Sequence, residues 1–454
     1  MTNILQGNVV DFDDDFNGIV VLDDGCKVAI PGAIVGETVQ FHIEHRSMHE
    51  PKAWGRCDGL VKTSNARILK TKCRTCWPTA GMCAGCPIMH IDDSTQAQMK
   101  RTAVERALAK AGITYIDEVP FVRADSVFHY RNRTDLVASE IRGRLVLGSY
   151  KPRSHDVIET KVCPILRPPL NQALAFIVST ARKMHIFASK PGVFFATGAL
   201  RYVSLFANAE GKVLVDLVVN SAYGKVPNWI RPFANKLKEF SPIVGVSYSI
   251  NDSENNAIRV SPSTVVWGCA AIEERHGDVV SRFSASGFTQ LNTEMAARIY
   301  REAAAWYDRK PHVVWDLYCG AGAFGRTFAP SRALYGAEFS ASAIRSAIEM
   351  SKSDDFETHF EVMNLDSQWP MNWATPDVIC LDPPRKGLSP NVVAHLRQDG
   401  PPTIIYMSCH PATFARDAVA MADRYVIQKI AAFDSGMLFG VADEQHPVVV
   451  LIGK

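Results

Sequence analysis

Hydrophobic and polar positions follow two different patterns along this 454-residue chain. Up to about residue 62, short runs such as GNVVDF and VAIPGAIVGETVQFHI alternate apolar and polar residues between glycine-rich turns. This pattern predicts a small antiparallel barrel. Residues 94–112 consist of good helix formers, with Ser94 as the cap and Gly112 as the stop. Residues 115–270 read as a strand-rich region with helices near 168–186 and 228–240.

A different pattern begins near residue 275. A predicted helix at 290–309 leads into buried apolar runs that alternate with helical stretches, which indicates a parallel sheet covered by helices on both faces. In such sheets ligands bind beyond the carboxyl ends of the strands. The segments DLYCGAG, GAE, NLD, LDPPR and SCHP all fall at predicted strand ends, so we expect them to form one site.

Length and composition limit the class of protein. The chain is too long for one core, so two to four domains are expected. It has neither an apolar run of membrane-spanning length nor a signal-like N-terminus, which predicts a cytoplasmic protein with no membrane partner. The net charge is only +2, so nucleic-acid binding would depend on local basic clusters. A monomer is the default expectation.

The segment DLYCGAGAFG, residues 316–325, indicates a nucleotide-like cofactor. Its glycines let the backbone approach a ligand and begin a helix whose N–H groups face that ligand. Glu338, at the end of the next strand, is placed to accept hydrogen bonds from a ribose diol, with a solvated helix cap as the alternative. These features fit a nicotinamide dinucleotide or S-adenosylmethionine equally well. The turn DPPRKG, which begins at Asp382, resembles the D-P-P turns of S-adenosylmethionine-dependent methyltransferases that act on bases.

Together, the ordered motifs resemble those of the RNA 5-methyluridine methyltransferases. GFTQLN, DLYCGAGAFG, GAEFSASAI, LDPPRKGL and MSCHPATFARD match the catalytic motifs, and CAGCPIMH, YRNR and GSYKPRSHDVIETKVCPIL match the central domain. The opening barrel resembles the RNA-binding TRAM domain. The resemblance implies an α/β protein with an OB-like TRAM barrel at 1–62, an α+β iron–sulfur and RNA-binding domain at 63–274, and a Rossmann-like methyltransferase domain at 275–454. Packing of helix 94–112 on the catalytic domain is a further expectation.

The resemblance also implies a covalent mechanism built around Cys409. Carbon 5 of uracil is a poor nucleophile, so a thiolate adds to carbon 6 and pushes electron density to carbon 5 before methyl transfer. A base then removes the carbon-5 proton and the thiol is eliminated. The family carries this base as a Glu before its final strand, where this chain has Pro447. Glu444 is the nearest carboxylate, with Asp443 and His446 as rivals.

Further site residues are implied by motif position. Asp382 would also help to orient the uracil, and His410 stands where the family has an Asn beside the nucleophile. His410 is expected to donate a hydrogen bond or to lower the pKa of the thiol when protonated. The residues expected to bind S-adenosylmethionine are Gln290, Tyr318, Gly320, Glu338, Asn364 and Asp382.

Four cysteines within fourteen residues, at positions 73, 76, 83 and 86, form a metal-binding pattern. The spacing alone favours structural zinc. The resemblance implies instead a [4Fe–4S] cluster held by Cys76, Cys83, Cys86 and the distant Cys163.

The expected partner is RNA. Ribosomal RNA of the 23S type is favoured and transfer RNA is the alternative. The pairs Arg131/Arg133 and Lys151/Arg153 are candidates for phosphate contacts. Two other classes remain open: a non-catalytic RNA-binding or folding factor that keeps the fold, and a methyltransferase that acts on an exocyclic amino group without Cys409.

Overall fold

The fold is described from a computed structural model that covers residues 4–76, 83, 85–114, 118–152, 154–190, 198–221, 224–253, 257–434 and 448–453. The chain divides into two compact units. The first contains Met1–Arg106 and Ser149–Ile158, and the second contains Ala107–Gly148, Glu159–Gly436 and His446–Lys454. Among the helices of the described residues, none combines the length and apolar composition that a membrane crossing requires.

The first unit contains the barrel predicted from the alternating pattern. Five strands close in the order β1-β2-β3-β5-β4. Inward-facing residues such as Val28, Val39 and Phe41 are fully buried, because every second residue of a strand points into the barrel. The strands are β1 (Leu5–Phe12), β2 (Gly18–Val21), β3 (Lys27–Ile30), β4 (Thr38–Arg46) and β5 (Lys52–Lys62).

Helix α1 (Asp93–Lys110) packs on this barrel. Met99 lies in one apolar cluster with Phe12, Phe16 and Ile34, and the helix up to Arg106 belongs to the barrel unit. The sequence predicted Ser94 as the N-terminal cap of this helix, but the cap is Asp92, two residues earlier. The Asp92 carboxylate accepts the N–H groups of Ser94 and Thr95, both at 3.0 Å, because an ionised oxygen is the stronger acceptor at a helix N-terminus.

Most of a seven-stranded sheet belongs to the second unit. Its order is β13-β12-β11-β10-β7-β8-β9, and two helices cover one face with a continuous apolar core. The helices predicted near 168–186 and 228–240 are confirmed. The elements are β7 (Arg133–Ile141), β8 (Arg144–Tyr150), β9 (Val157–Glu159), α2 (Pro168–Lys183), β10 (Ala199–Ala207), β11 (Val213–Asn220), α3 (Ile230–Leu237), β12 (Ile243–Ile250) and β13 (Thr264–Gly268).

A hairpin and a helix lead from this sheet into the catalytic region. They are β14 (Ile272–His276), β15 (Val279–Phe283) and α4 (Thr293–Trp306). The helix begins after Asn292, whose side chain accepts the N–H of Met295 at 3.1 Å. The helix predicted at 290–309 is therefore confirmed, with its start moved to the cap.

The wound sheet predicted for the C-terminal region is confirmed. Its order is β18-β17-β16-β19-β20-β22-β21-β6, with β16 to β20 parallel and β22 antiparallel to both of its neighbours. Every residue of β16 and β19 is buried, as expected for strands covered on both faces. The order reverses between β16 and β19, so the crevice at their carboxyl ends is a topological switch point.

The remaining elements belong to this sheet and its cover. They are β6 (Phe121–Val122), β16 (Val313–Leu317), α5 (Ala323–Arg326), β17 (Ala333–Glu338), α6 (Ala341–Met350), β18 (Glu357–Val362), β19 (Val378–Leu381), α7 (Pro390–Asp399), β20 (Thr403–Ser408), α8 (Pro411–Ala420), β21 (Val426–Phe433) and β22 (Val448–Gly453).

Candidate functional site

The predicted site residues follow neighbouring strands at the switch point. Leu317, at the end of β16, pairs with Ala337 of β17 on one side and with Leu381 of β19 on the other. Leu381 in turn pairs with Tyr406 of β20. The residues that come next along each strand therefore share one edge of the sheet: the glycine-rich loop, Glu338, Asp382 and Cys409.

The loop after β16 has an unusual backbone. Tyr318 has φ +65°, a left-handed conformation that costs a non-glycine residue about 1–2 kcal/mol. Gly320 and Gly322 also have positive φ, at +53° and +77°. A Cβ on Gly320 would meet no atom within 4 Å, so space is open beside the loop there. Strain of this kind concentrates at ligand-binding sites.

Glu338 is held by the backbone on both sides. One carboxylate oxygen accepts the N–H of Gly320 at 3.2 Å and the other accepts the N–H of Ser340 at 2.8 Å. The cap of α6 is Ser340, whose side chain accepts the N–H of Ala343. The alternative in which Glu338 serves as a helix cap is therefore wrong. Phe339, the next residue, is 75% exposed at the same edge, a feature that sequence reasoning missed.

Asp316 is a fully buried carboxyl group at the switch point. Its Oδ2 accepts the N–H of Gly325 at 2.8 Å, and a Cβ on Gly325 would lie only 2.7 Å from the Asp316 Cβ. Its Oδ1 is buried and has no hydrogen-bond partner among the described residues. Burial, with a smaller contribution from Glu338, raises the pKa of Asp316 to about 7.

Asp382 lies beside this acidic group and contacts Gln290. Burial and the charge of Asp316 raise the pKa of Asp382 well above its usual range, while the hydrogen bond from Gln290 opposes the rise. Gln290 Nε2 donates to Asp382 Oδ2 at 3.1 Å. The structure thus brings together two predicted residues that are 92 positions apart.

Asn132, in the motif YRNR, supports this contact from the central sheet. Its Nδ2 donates to the Gln290 carbonyl at 2.8 Å and to Thr293 Oγ1 at 2.9 Å, and its own N–H donates to the Leu291 carbonyl at 3.0 Å. Asn132 is fully buried. It positions the Gln290 loop, a role that no local sequence signal indicated.

Cys409 lies half-buried at the junction of β20 and α8. Ser408 Oγ accepts the N–H of His410 and donates to its carbonyl, both at 3.1 Å, so the residues on either side of the thiol are linked. His410 caps α8, because its Nδ1 accepts the N–H of Thr413 at 3.3 Å. A ring nitrogen that accepts carries no proton, so the cap requires the tautomer with the proton on Nε2.

The other predicted site residues have mixed outcomes. Asn364 is exposed, and its Oδ1 accepts the N–H of Asp366 at 3.1 Å within its own turn. The expectation that Arg133 contacts phosphate is wrong, because its side chain is buried and its Nε lies 3.7 Å from Asp135 Oδ2. Lys151 pairs with Asp156 at 3.2 Å. The predictions for Arg153, Asp443, Glu444, His446 and Pro447 lie outside the described residues.

The cysteine cluster is not assembled as a metal site in the described part of the chain. There, no group of three or more His, Cys, Asp or Glu side chains is arranged to hold a metal ion. Two of the thiols contact neighbouring groups: Thr71 Oγ1 lies 3.2 Å from Cys76 Sγ, and the backbone N–H of Gly85 donates to Cys83 Sγ at 3.4 Å. A hydrogen bond with Cys76 lowers the pKa of Cys73 to about 5. The [4Fe–4S] prediction, with Cys163 as fourth ligand, and the zinc alternative find no support.

Known proteins similar to this chain are methyltransferases. The sequence model of the tRNA (uracil-5-)-methyltransferase family matches residues 346–441. An uncharacterised RNA methyltransferase of Lactococcus lactis subsp. lactis is 28% identical over 442 residues, which cover 95% of this chain and 94% of the relative. Another uncharacterised RNA methyltransferase, from Caldanaerobacter subterraneus subsp. tengcongensis, is 27% identical over 431 residues, which cover 92% of this chain and 93% of the relative.

One solved structure has the same fold along almost the whole chain. The Pyrococcus abyssi tRNA (uracil-54, C5)-methyltransferase in complex with S-adenosyl-L-homocysteine superposes with a TM-score of 0.74 and 22% identity, covering 99% of this chain and all of that one. The fold is that of an S-adenosylmethionine-dependent methyltransferase. This chain is therefore an enzyme of the RNA methyltransferase class, and within that class it is similar to the uracil-5 methyltransferases.

Proposed function

We propose that this enzyme forms 5-methyluridine in RNA, with S-adenosylmethionine as the methyl donor and Cys409 as a covalent nucleophile. The observation that carries the proposal is the shared sheet edge on which Cys409 follows β20 and the Asp382–Gln290 pair follows the neighbouring β19. A thiol at the same sheet edge as a half-buried carboxyl and amide pair suits addition to a pyrimidine ring better than direct transfer to an exocyclic nitrogen.

The switch point fits the proposed cofactor. Asp316 has a buried oxygen without a hydrogen-bond partner among the described residues, the space beside Gly320 is open, and Glu338 is oriented by two backbone N–H groups. A cationic sulfonium is favoured near such a concentration of carboxyl groups. When bound, S-adenosylmethionine supplies an electrophilic methyl group. The residues proposed to hold it are Gln290, Tyr318, Gly320, Glu338, Asn364 and Asp382.

The protein groups have separate tasks in the proposed reaction. The Cys409 thiolate attacks carbon 6 of the uracil, and the N-terminal end of α8 favours the thiolate over the thiol. Asp382, oriented by Gln290, holds the uracil ring. Glu444 is proposed to remove the carbon-5 proton, after which the sulfur leaves and the cycle closes. The target uridine must be unpaired or extruded, because the reacting edge of a stacked base is covered.

The proposed substrate is 23S ribosomal RNA, with transfer RNA as the alternative. The N-terminal barrel and the four cysteines support the first, as features shared with the ribosomal branch. The description of the matching family and the Pyrococcus relative name transfer RNA. Mapping of 5-methyluridine in ribosomal and transfer RNA from a strain that lacks the gene distinguishes the two.

The reaction is tested with RNA that carries tritium at carbon 5 of uridine. Tritium release with S-adenosylmethionine, and its loss in Cys409→Ala, is the expected result. RNA with 5-fluorouridine should remain cross-linked to Cys409. Tight RNA binding without tritium release, in both the parent protein and Cys409→Ala, would favour the non-catalytic factor. Methylation of an exocyclic nitrogen by Cys409→Ser would refute the covalent route. Glu444→Gln should accumulate the RNA adduct if Glu444 is the base.

A further inference from the structure

Asp417 is a buried carboxylate of α8 that the proposed reaction does not use. Its side chain is 3% exposed. One oxygen, Oδ2, accepts both the Leu388 N–H and the Tyr406 hydroxyl, each at 2.8 Å. The other, Oδ1, accepts Arg416 Nε at 2.9 Å and Nη2 at 2.6 Å. Such charge-assisted bonds are stronger than those between neutral groups.

The partners of Asp417 lie in three elements that frame the candidate site. Leu388 ends the turn that starts at Asp382, and Tyr406 lies in β20, three residues before Cys409. Asp417 itself is on the helix that begins two residues after the thiol. The Asp417 carboxylate therefore links three elements: the strand before Cys409, the helix after it, and the turn that starts at Asp382.

The turn approaches Asp417 so closely that a side chain would not fit there. Gly387 has φ +76°, and a Cβ at this position would lie 2.4 Å from Asp417 Oδ2. Arg416 Nη2 also donates to the Lys386 carbonyl at 2.8 Å. The contact between turn and helix thus depends on a glycine at 387 and on the orientation of one carboxylate.

We propose that Asp417 is a positioning residue that fixes the Cys409 thiol relative to Asp382. The inference rests on the proposed function, because it gives the distance between thiol and carboxylate a catalytic meaning. Asp417 has no role in chemistry itself. It acts by holding β20, α8 and the turn 382–388 as one unit, so that both groups meet the same uracil.

The test compares substitutions of graded severity. Asp417→Ala should lower kcat about 100-fold, the size of effect expected for a displacement of about 1 Å between reacting groups, with the KM for S-adenosylmethionine changed less than about threefold. Asp417→Asn should stay within about fivefold of the parent, because its amide oxygen still accepts from Leu388 and Tyr406. Asp423→Asn is the matched control: this exposed aspartate pairs with Arg397 at 2.6 Å.

A second measurement follows the thiol directly. The rate at which iodoacetamide alkylates Cys409 should fall several-fold in Asp417→Ala, because the thiol loses its fixed place at the start of α8. This rate does not depend on RNA methylation. If the parent protein fails to methylate uridine, the proposed function fails, and the alkylation rates still decide whether Asp417 positions Cys409.

The proposal is overturned if Asp417→Ala lowers only the melting temperature and leaves kcat and the alkylation rate at the level of Asp423→Asn. If Asp417→Ala does not fold, Tyr406→Phe takes its place, since it removes only the bond to the strand. Tyr406→Phe should lower kcat about tenfold at unchanged KM for S-adenosylmethionine. An unchanged kcat in Tyr406→Phe would also overturn the proposal.

Discussion

Replacement of Gln290 by Ala should move the acid limb of the activity profile to higher pH. The substitution removes the Nε2 donor that lies 3.1 Å from Asp382 Oδ2. Burial and Asp316 already raise the pKa of Asp382, and the Gln290 hydrogen bond is the contact that opposes them. A hydrogen bond to a charged group contributes about 1.5–3 kcal/mol, and one pKa unit corresponds to about 1.4 kcal/mol. Because Asp382 is half-buried, water screens part of this contribution, and we expect removal of the hydrogen bond to raise the pKa of Asp382 further.

The sign follows from the form of Asp382 that the proposal requires. The ionised carboxylate serves the reaction, and it is lost as the pH falls through the pKa of Asp382. A higher pKa therefore removes activity at a higher pH. The assay is kcat/KM for RNA between pH 5 and 9, together with S-adenosyl-L-homocysteine binding by calorimetry over the same range.

The control is Gln398→Ala, which removes an exposed amide from α7 and should leave the profile unchanged. In Gln290→Ala we also expect a lower maximum of kcat/KM, because the Gln290 amide is also proposed to contact the cofactor. The position of the acid limb separates the two effects. A uniform loss of activity with the limb in place would refute the reasoning about Asp382.

Three further predictions use the same chemistry. With Asp316 at a pKa of about 7, the affinity for cationic S-adenosylmethionine relative to neutral S-adenosyl-L-homocysteine should rise between pH 6 and 8, measured by calorimetry. Burial lowers the pKa of His276 to about 4, so its contribution to stability, present above pH 6.5, is lost as the pH falls towards 4. In urea unfolding, His276→Gln should lose about 2 kcal/mol less stability between pH 7 and 5 than the parent protein, whereas the exposed-site control His185→Asn should lose as much as the parent. His410→Ala should slow Cys409 alkylation, whereas His410→Asn should retain it by accepting the same N–H; equal rates would refute a capping role.

The sequence predicted the strand ends at which the candidate site residues lie. Glu338 ends a parallel strand, and Asp382 and Cys409 each follow one. Because parallel strands end at one edge of a sheet, the shared edge of these residues follows from strand assignment. Gln290 comes from outside the wound sheet. Its place among the candidate site residues was implied only by the family resemblance, and its hydrogen bond to Asp382 was not predicted.

The remaining features depend on register and packing that local patterns do not encode. Asn132 acts on a loop 158 residues away, and the Asp417 contacts require β20, α8 and the turn 382–388 to be in place. Arg133 was assigned to the surface because it is charged, but it lies on a strand position that faces the interior. Charge alone does not distinguish a phosphate contact from a buried ion pair.

The switch point combines features that a stable fold would avoid. Asp316 is buried, and one of its oxygens has no hydrogen-bond partner in the described part of the chain. Asp382 lies beside it with a raised pKa, and Tyr318 has a left-handed backbone. Each of these costs free energy in the absence of a ligand. A ligand that carries a positive charge and hydrogen-bond donors would offset the first two, and the turn at Tyr318 brings Gly320 to within hydrogen-bond distance of Glu338. These three unfavourable features cluster at one edge of the sheet, above a buried apolar core. This arrangement is expected where ligand binding, rather than folding stability, determines which residues occupy the positions.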